Sequence, residues 1–397
     1  MKCVKDNDYN AFTGLPLYSR LSRPLNKLFK NLMKILWFNW RDIKNPEAGG
    51  AEVLTHEIAS RLVNARNNQV TLFTSRYPNA AASENLNGVT IIRQGGRFSV
   101  YSKAKRYYLR NKNNFDLIID EINVKPFLTP RFVKDERPIL ALIHQTSPEQ
   151  FMLELPFPLN FLGRYYFEKR WLSYYKEIPT VTVSNSTRID LKRLGFKHVH
   201  VIPEGLSVMP LDKPAQKETS PTVVFIGRLK RHKLPDHAIR AFSLIKKALP
   251  DAKLWVIGDG YMRKKLQSKL DTEGVTFFGH IGSGHKYNLL SRAHLVLVPA
   301  IREGWALVVT ESNAMATPVV AYNVPGLRDS VRHDETGILV DDSSPEGLAS
   351  GAINLLKNRP LLDRYSNNSL LFSRQFNWDI STNVFENSIR YAIRCKE

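Results

Sequence analysis

The chain has 397 residues, of which 43% are hydrophobic, 10% aromatic and 24% charged, the composition of a globular protein long enough for two domains. No stretch approaches the ~20 apolar residues of a membrane span, the start MKCVKDNDYN lacks the apolar core of a signal peptide, and the two cysteines, Cys3 and Cys395, support neither a disulfide framework nor a cysteine-rich zinc site. A cytoplasmic location is the resulting expectation, and a formal charge of +20 points to polyanions, anionic membranes or phosphorylated small molecules; nucleic acid is disfavoured because no finger, basic zipper or RNA-binding aromatic motif is present.

Residues 1–32 carry Pro16, Pro24 and scattered basic side chains, and read as an N-terminal extension, disordered or upstream of a second start at Met33. From Met33 the pattern is regular. A strand is predicted over 35–38, then a loop ending in Gly49 and Gly50, then a helix over 51–63 with Leu54, Ile58, Ala59 and Leu62 on its apolar face. Strands follow over 70–73, 89–92, 117–119, 139–143, 180–183 and 199–202, separated by polar or helical segments. This alternation is that of a parallel sheet covered on both faces, and it defines a first domain over 33–214.

Residues 215–221, AQKETSP, have no apolar pattern and follow Pro210 and Pro214, so they read as a linker. The rhythm then restarts, with strands over 222–226, 253–257, 275–278, 295–298, 318–321 and 338–340. Helices are predicted over 235–249, 262–269, 287–291 and 345–356, and another begins near Gly304 and carries Glu311. The second domain extends over 222–375, and the tail, 376–397, is helical in its later part. Two doubly wound units in succession leave a cleft faced by the carboxyl-edge loops of each.

Several groups fall on those loops. Glu303 and Glu311 are eight residues apart; on a continuous helix from Gly304 they lie about 12 Å apart along the axis and about 80° apart around it. That suits two hydroxyl-bearing parts of one long ligand better than a metal pair, with its phosphates at the helix start; an acidic helix start plus a solvent-facing or paired glutamate is the structural alternative. After the strand ending at Ile226, Gly227 permits a tight turn, Arg228 offers a planar fork and Lys233 a point charge to phosphate oxygens, unless the turn is simply a solvated basic one. Gly258-Asp259-Gly260 and Gly49-Gly50 allow close backbone approach or form ordinary turns. His144, just beyond a strand, suits a hydroxyl contact, a proton acceptor or a structural role; without HExxH spacing it is a poor metal ligand. Ser184 to Thr187 read as a helix cap. Two aromatic-basic runs, 101–112 and 164–176, suit an anionic lipid surface, nucleic acid or a sheet cover whose cations face water.

Taken together, PAIREGWALVVTE at 299–311, the AMATPVVA and GILV segments after it, the GRL…K turn, Gly258-Asp259-Gly260 and Gly279-His280-Ile281 resemble the family 4 retaining glycosyltransferases of GT-B architecture, from Met33 to the tail. The resemblance implies an α/β fold of two doubly wound Rossmann-like domains facing a central cleft, with a nucleotide diphosphate sugar as cosubstrate, no other cofactor and no metal. It places Arg228 and Lys233 on the donor diphosphate, Glu311 on the ribose, Glu303 on the transferred sugar and the backbone near Ile281 at the base. Gly50 would lie beside the diphosphate from the first domain and His144 by a donor-sugar hydroxyl, while the tail would pack back on the first domain. Where the family commonly has EGFG, this chain has Glu303-Gly304-Trp305-Ala306; Ala316 stands at a usual glycine and Glu204-Gly205 at the usual asparagine-glycine. These differences bear on the donor-sugar and acceptor pockets.

The implied activity is retaining transfer of a hexosyl group from a GDP- or UDP-sugar to an alcohol acceptor, a lipid-linked or cell-envelope glycan in view of the aromatic-basic runs, by a protein peripheral to the inner face of a membrane. A soluble acceptor is the enzymatic alternative. A noncatalytic nucleotide-sugar or polyanion-binding protein is the alternative of a different class.

Overall fold

The structure, a computed structural model, describes residues 32–134 and 137–396; residues 1–31, most of the predicted extension, lie outside them. Continuous apolar runs become strands buried on both faces. In the first domain β1 (Lys34–Phe38), β2 (Gln69–Thr74), β3 (Ser83–Leu86), β4 (Val89–Arg93), β5 (Leu117–Ile122), β6 (Ile139–Ile143), β7 (Thr180–Thr182) and β8 (Val199–Val201) form one sheet of order β3-β4-β2-β1-β5-β6-β7-β8. All neighbours are parallel except β3 and β4. That edge hairpin is absent from the sequence reading, although Asn87-Gly88 announces it: both residues have positive φ, as a two-residue hairpin turn requires.

The second domain has β9 (Thr222–Ile226), β10 (Lys253–Ile257), β11 (Val275–Gly279), β12 (Leu295–Val298), β13 (Val319–Tyr322) and β14 (Gly337–Val340) in a parallel sheet of order β11-β10-β9-β12-β13-β14. In each sheet the first orderly strand is central, and the order reverses beside it. The loops leaving β1 and β9 therefore open onto the crevices where ligands bind open α/β sheets.

Helices cover both sheets. In α1 (Gly50–Asn64), Leu54, Ile58, Ala59 and Leu62 are fully buried against Ile35, Trp37, Leu117 and Ile119. The next helix, α2 (Val100–Asn111), takes the first aromatic-basic run, and its rings turn inward: Tyr108 is buried, Tyr101 meets Phe127 and Tyr107 meets Phe73. Those tyrosines serve the core, so this run loses the lipid-facing aromatic surface expected of it. Short helices follow, α3 (Pro148–Glu154), α4 (Leu159–Leu162) and α5 (Glu168–Leu172), and then α6 (Asn185–Arg193), whose cap Ser184 accepts a hydrogen bond from Thr187 N.

The second domain carries α7 (Pro235–Ala248), α8 (Arg263–Lys269), α9 (Ser283–Arg292), α10 (Leu307–Ala314), α11 (Leu327–Ser330), α12 (Pro345–Lys357) and α13 (Arg359–Ser373). The last helix, α14 (Trp378–Arg394), lies on the first domain, where Phe385 stacks on Trp37 with ring centroids 5.2 Å apart and Ile389 enters the same core. No helix among the described residues is long and apolar enough to cross a membrane.

Candidate active site

The carboxyl-edge loops of the two sheets meet face to face. From the first domain, the turn into α1 brings Gly50 so close to Leu307, at the start of α10, that a Cβ there would lie 3.3 Å from the leucine side chain. Gly304 packs on the carbonyl of His144 in the same way, with a Cβ position 2.8 Å from that oxygen. A ring of polar contacts holds the loops together. Arg302 binds Glu149 at 2.8 Å and Asp190 at 2.7 Å, His232 binds Glu154 at 2.7 Å, Tyr261 donates to Glu154 at 2.7 Å, and Lys230 meets Glu47 at 3.3 Å.

Three cations and three carboxylates converge where the loops meet. Lys233 is ion-paired with Glu303. Arg41, from the loop after β1, binds Glu52 at 3.0 Å through both Nε and Nη2, and Glu52 in turn accepts from Gly49 N at 2.6 Å at the start of α1. Arg228 differs: the residue is half-buried, and its guanidinium makes no hydrogen bond or ion pair with any described residue. Burial lowers its pKa and the like charge of Arg41 lowers it further, against the pull of Glu52, Glu303 and Glu47. A guanidinium without a counter-ion, and within reach of a second one's charge, favours an anion beside it.

The predicted helix start needs correction. Glu303 to Ala306 are not helical; α10 begins at Leu307, and Ala306 is left-handed with φ 72°. Glu303 N instead bonds Pro325 O at 3.1 Å, so the two glutamates do not share one helical face. Glu311 lies on α10, where one carboxylate oxygen accepts from Lys286 Nζ at 2.7 Å and from Tyr287 OH at 3.0 Å. Its other oxygen has no hydrogen-bond partner among the described residues. Ile281 edges the apolar cluster that also holds Tyr287 and Phe278. Gly258 adopts φ 125°, and a Cβ there would lie 2.1 Å from Gly227 O, so only glycine lets these two turns touch.

His144 is buried and joined to Glu121 through Nε2 at 2.9 Å. Burial alone lowers its pKa, but the Glu121 hydrogen bond and the carboxylates of Glu121, Glu204 and Glu52 outweigh it, so the net shift is upward. Glu121 also accepts from Trp37 Nε1 at 2.8 Å and Thr55 Oγ1 at 2.6 Å, which fixes the imidazole from below. Arg41, Glu52, Glu121, Lys286, Tyr287 and Arg302 are missing from the sequence reading. Glu121 left a signal, an acid inside the apolar strand LIIDEI, and so did Arg302, a cation next to Glu303; the others are joined only by folding.

A model of the glycosyl transferases group 1 matches residues 211–371, and one of glycosyltransferase family 4 matches residues 48–208, so the two halves of the cleft carry the two halves of one enzyme family. The chain belongs to the family 4, group 1 glycosyltransferases. Its two-domain architecture is GT-B. Over 298 residues this glycosyltransferase is 26% identical to the phosphatidyl-myo-inositol mannosyltransferase of Mycobacterium leprae, covering 71% of this chain and 74% of that one. Two further curated relatives are spanned over 20% and 59% of their own length. Sucrose-phosphate synthase from Thermosynechococcus elongatus superposes with a TM-score of 0.74 at 20% identity, covering 90% of this chain and 98% of that one. Anabaena HepE in complex with UDP-glucose gives 0.67 at 16% identity, covering 89% and 99%. The departures from the family pattern also find their places: Ala306 and Ala316, each at a usual glycine, both have positive φ, 72° and 54°.

Proposed function

We propose that the protein transfers a hexosyl group from a nucleotide diphosphate sugar to an alcohol acceptor with retention of anomeric configuration and without a metal. The Arg228 guanidinium, unpaired among the described residues and within reach of the charge of Arg41, carries this assignment. The C1–O bond to the donor's terminal phosphate breaks as a C1–O bond to the acceptor forms on the same face, and the acceptor's proton passes to a leaving phosphate oxygen. Charge grows on the diphosphate in that step, and Arg228 and Lys233, with the backbone at Gly50 and the start of α10, stabilise it where it develops. Lys233 then exchanges part of its bond to Glu303 for the phosphate, freeing Glu303 to take sugar hydroxyls. Glu311 takes the ribose and His144 a hydroxyl of the transferred sugar. The UDP-glucose complex of a neighbour with the same fold supports a nucleotide-sugar donor, and the mannosyltransferase relative, named for a phosphatidyl-inositol acceptor, supports a lipid-borne alcohol.

The second aromatic-basic run supports the same acceptor class. In it Tyr165 and Tyr166 are half-exposed beside Arg164, Lys169 and Arg170, while Tyr175 is buried; just before it Phe157 is 81% exposed and Phe161 53%. Rings and cations interleaved on one face suit an anionic lipid surface. It would hold the protein on the inner face of a membrane.

A melting-temperature screen across UDP- and GDP-sugars tests the donor assignment, since a ligand bound only by the folded state raises the transition. One base and sugar should stand out and be slowly hydrolysed. No shift and no hydrolysis with any of them would remove the assignment, and absence of binding to phosphatidylglycerol vesicles at low salt would remove the membrane part alone.

A further inference from the structure

Besides Arg228, a second ionisable side chain at the sheet edges is without a partner among the described residues. Glu204 follows β8, two strands along the sheet from His144, and because β6, β7 and β8 run parallel both residues leave the sheet at the same edge. It is 4% exposed, and neither carboxylate oxygen has a hydrogen-bond partner among the described residues; Oε2 is wholly buried. Its neighbour Gly205 packs against the Trp378 ring, with a Cβ position 2.1 Å from a ring carbon.

Its surroundings mark a binding wall rather than a core. The charge of His144 reaches Glu204 and is the only one to do so appreciably; behind His144 stand Glu121 and Glu52. Trp305, in the loop that carries Glu303, packs in the same apolar cluster as Ile202 and Val183, and its indole N–H is also buried without a partner. Native interiors seldom leave such groups unmade, because each costs the desolvation it is not repaid for. Burial pushes the Glu204 carboxyl up to about 8, with His144 opposing. At neutral pH it is therefore mostly the acid, able to donate through its O–H and accept through its carbonyl, and a sugar hydroxyl matches both functions.

We propose that Glu204 is a specificity-determining residue that hydrogen-bonds a hydroxyl of the donor's sugar ring, beside His144 and under Trp305. The inference rests on the nucleotide-sugar donor proposed above and adds a contact that reads the sugar and leaves the nucleotide untouched. Asparagine, usual in the family at this position, offers a donor and an acceptor but no titration; glutamate makes the contact depend on pH.

Calorimetric titration of the full chain with UDP-glucose against UDP, and with GDP-mannose against GDP, separates the sugar's contribution from the nucleotide's. Glu204→Ala should reduce the advantage of the nucleotide sugar over its nucleotide by about tenfold, the loss of one good hydrogen bond, with nucleotide affinity unchanged. Glu204→Gln should keep that advantage within about threefold and, unlike the parent, keep it from neutral pH to about pH 9, where a carboxyl of raised pKa has ionised. Trp305→Phe, which retains the ring and removes the N–H, gives a second reading of the same wall and should also act on the sugar's advantage alone. If Glu204→Ala binds nucleotide and nucleotide sugar with the parental ratio, the inference is overturned while the donor assignment stands; if the parent binds neither nucleotide nor nucleotide sugar, both fall.

Discussion

Lys233 Nζ is ion-paired with the Glu303 carboxylate, so a cation and an anion from two different turns of the second domain neutralise each other in the cleft. Arg228, one turn of chain earlier, has no such partner. The two cations therefore respond differently to removal. Lys233→Ala should lower stability by about 1 kcal/mol, leaving Glu303 partly buried and unpaired, whereas Arg228→Ala should leave the melting temperature unchanged or raised. Both should lower donor turnover by about a hundredfold, the scale on which removing one charge-stabilising donor acts. Thermal melts and donor hydrolysis rates check the pair; parental turnover in both variants would exclude them from the diphosphate.

Arg302 fastens the second domain to α3 and α6 of the first through Glu149 and Asp190. Arg302→Ala should loosen that junction and cost about 1–3 kcal/mol, less than a fully buried ion pair because Glu149 is partly exposed. Small-angle scattering should show a larger radius of gyration. Unchanged scattering and stability would mean that the clasp does not hold the domains closed.

For His144 the sign follows from its raised pKa. A histidine whose folded pKa lies above its unfolded value contributes stability that is complete below about pH 6.5 and is lost as pH rises through the folded pKa. Glu121→Gln weakens the cause, so the parent's stability advantage over this variant should shrink as pH rises above about 6.5, and the imidazole pKa read by NMR should fall. The Glu204 carboxyl titrates in the same window but is present in both proteins, so to first order it cancels in the difference. An equal pKa in the two proteins would sink the assignment.

Ala306 and Ala316 hold left-handed backbone at φ 72° and 54°. A Cβ in that region costs about 1–2 kcal/mol, partly offset on replacement by the greater freedom of glycine in the unfolded chain. Ala306→Gly and Ala316→Gly should each stabilise the protein by about 0.5–1 kcal/mol in chemical denaturation. Loss of stability in both would show that the methyl groups pack well enough to outweigh the strain.

The apolar strand runs, the glycines after β1, β9 and β10, and the GRL…K and EGWA loops were all legible in the chain, because hydrophobic periodicity and turn chemistry are local properties. Local pattern misplaced the start of α10: Gly304 reads as a helix beginning, and only the close contact of Gly326 with the Glu303 carbonyl shows why the backbone stays open until Leu307. It also could not say that the tyrosines of α2 face inward while Tyr165 and Tyr166 of the second run face outward, since both runs have similar composition.

What the residues determined alone was therefore the two-sheet architecture and the loops on which the chemistry would sit. Which charges on those loops are neutralised was decided by tertiary structure: Glu303 by Lys233, Glu52 by Arg41 and Glu311 by Lys286, with Arg228 and Glu204 left unpartnered. The physical reason is range. Periodicity acts over a few residues, whereas the pairing of buried charges depends on groups that lie far apart in the chain and meet only when the loops of the two sheets face each other.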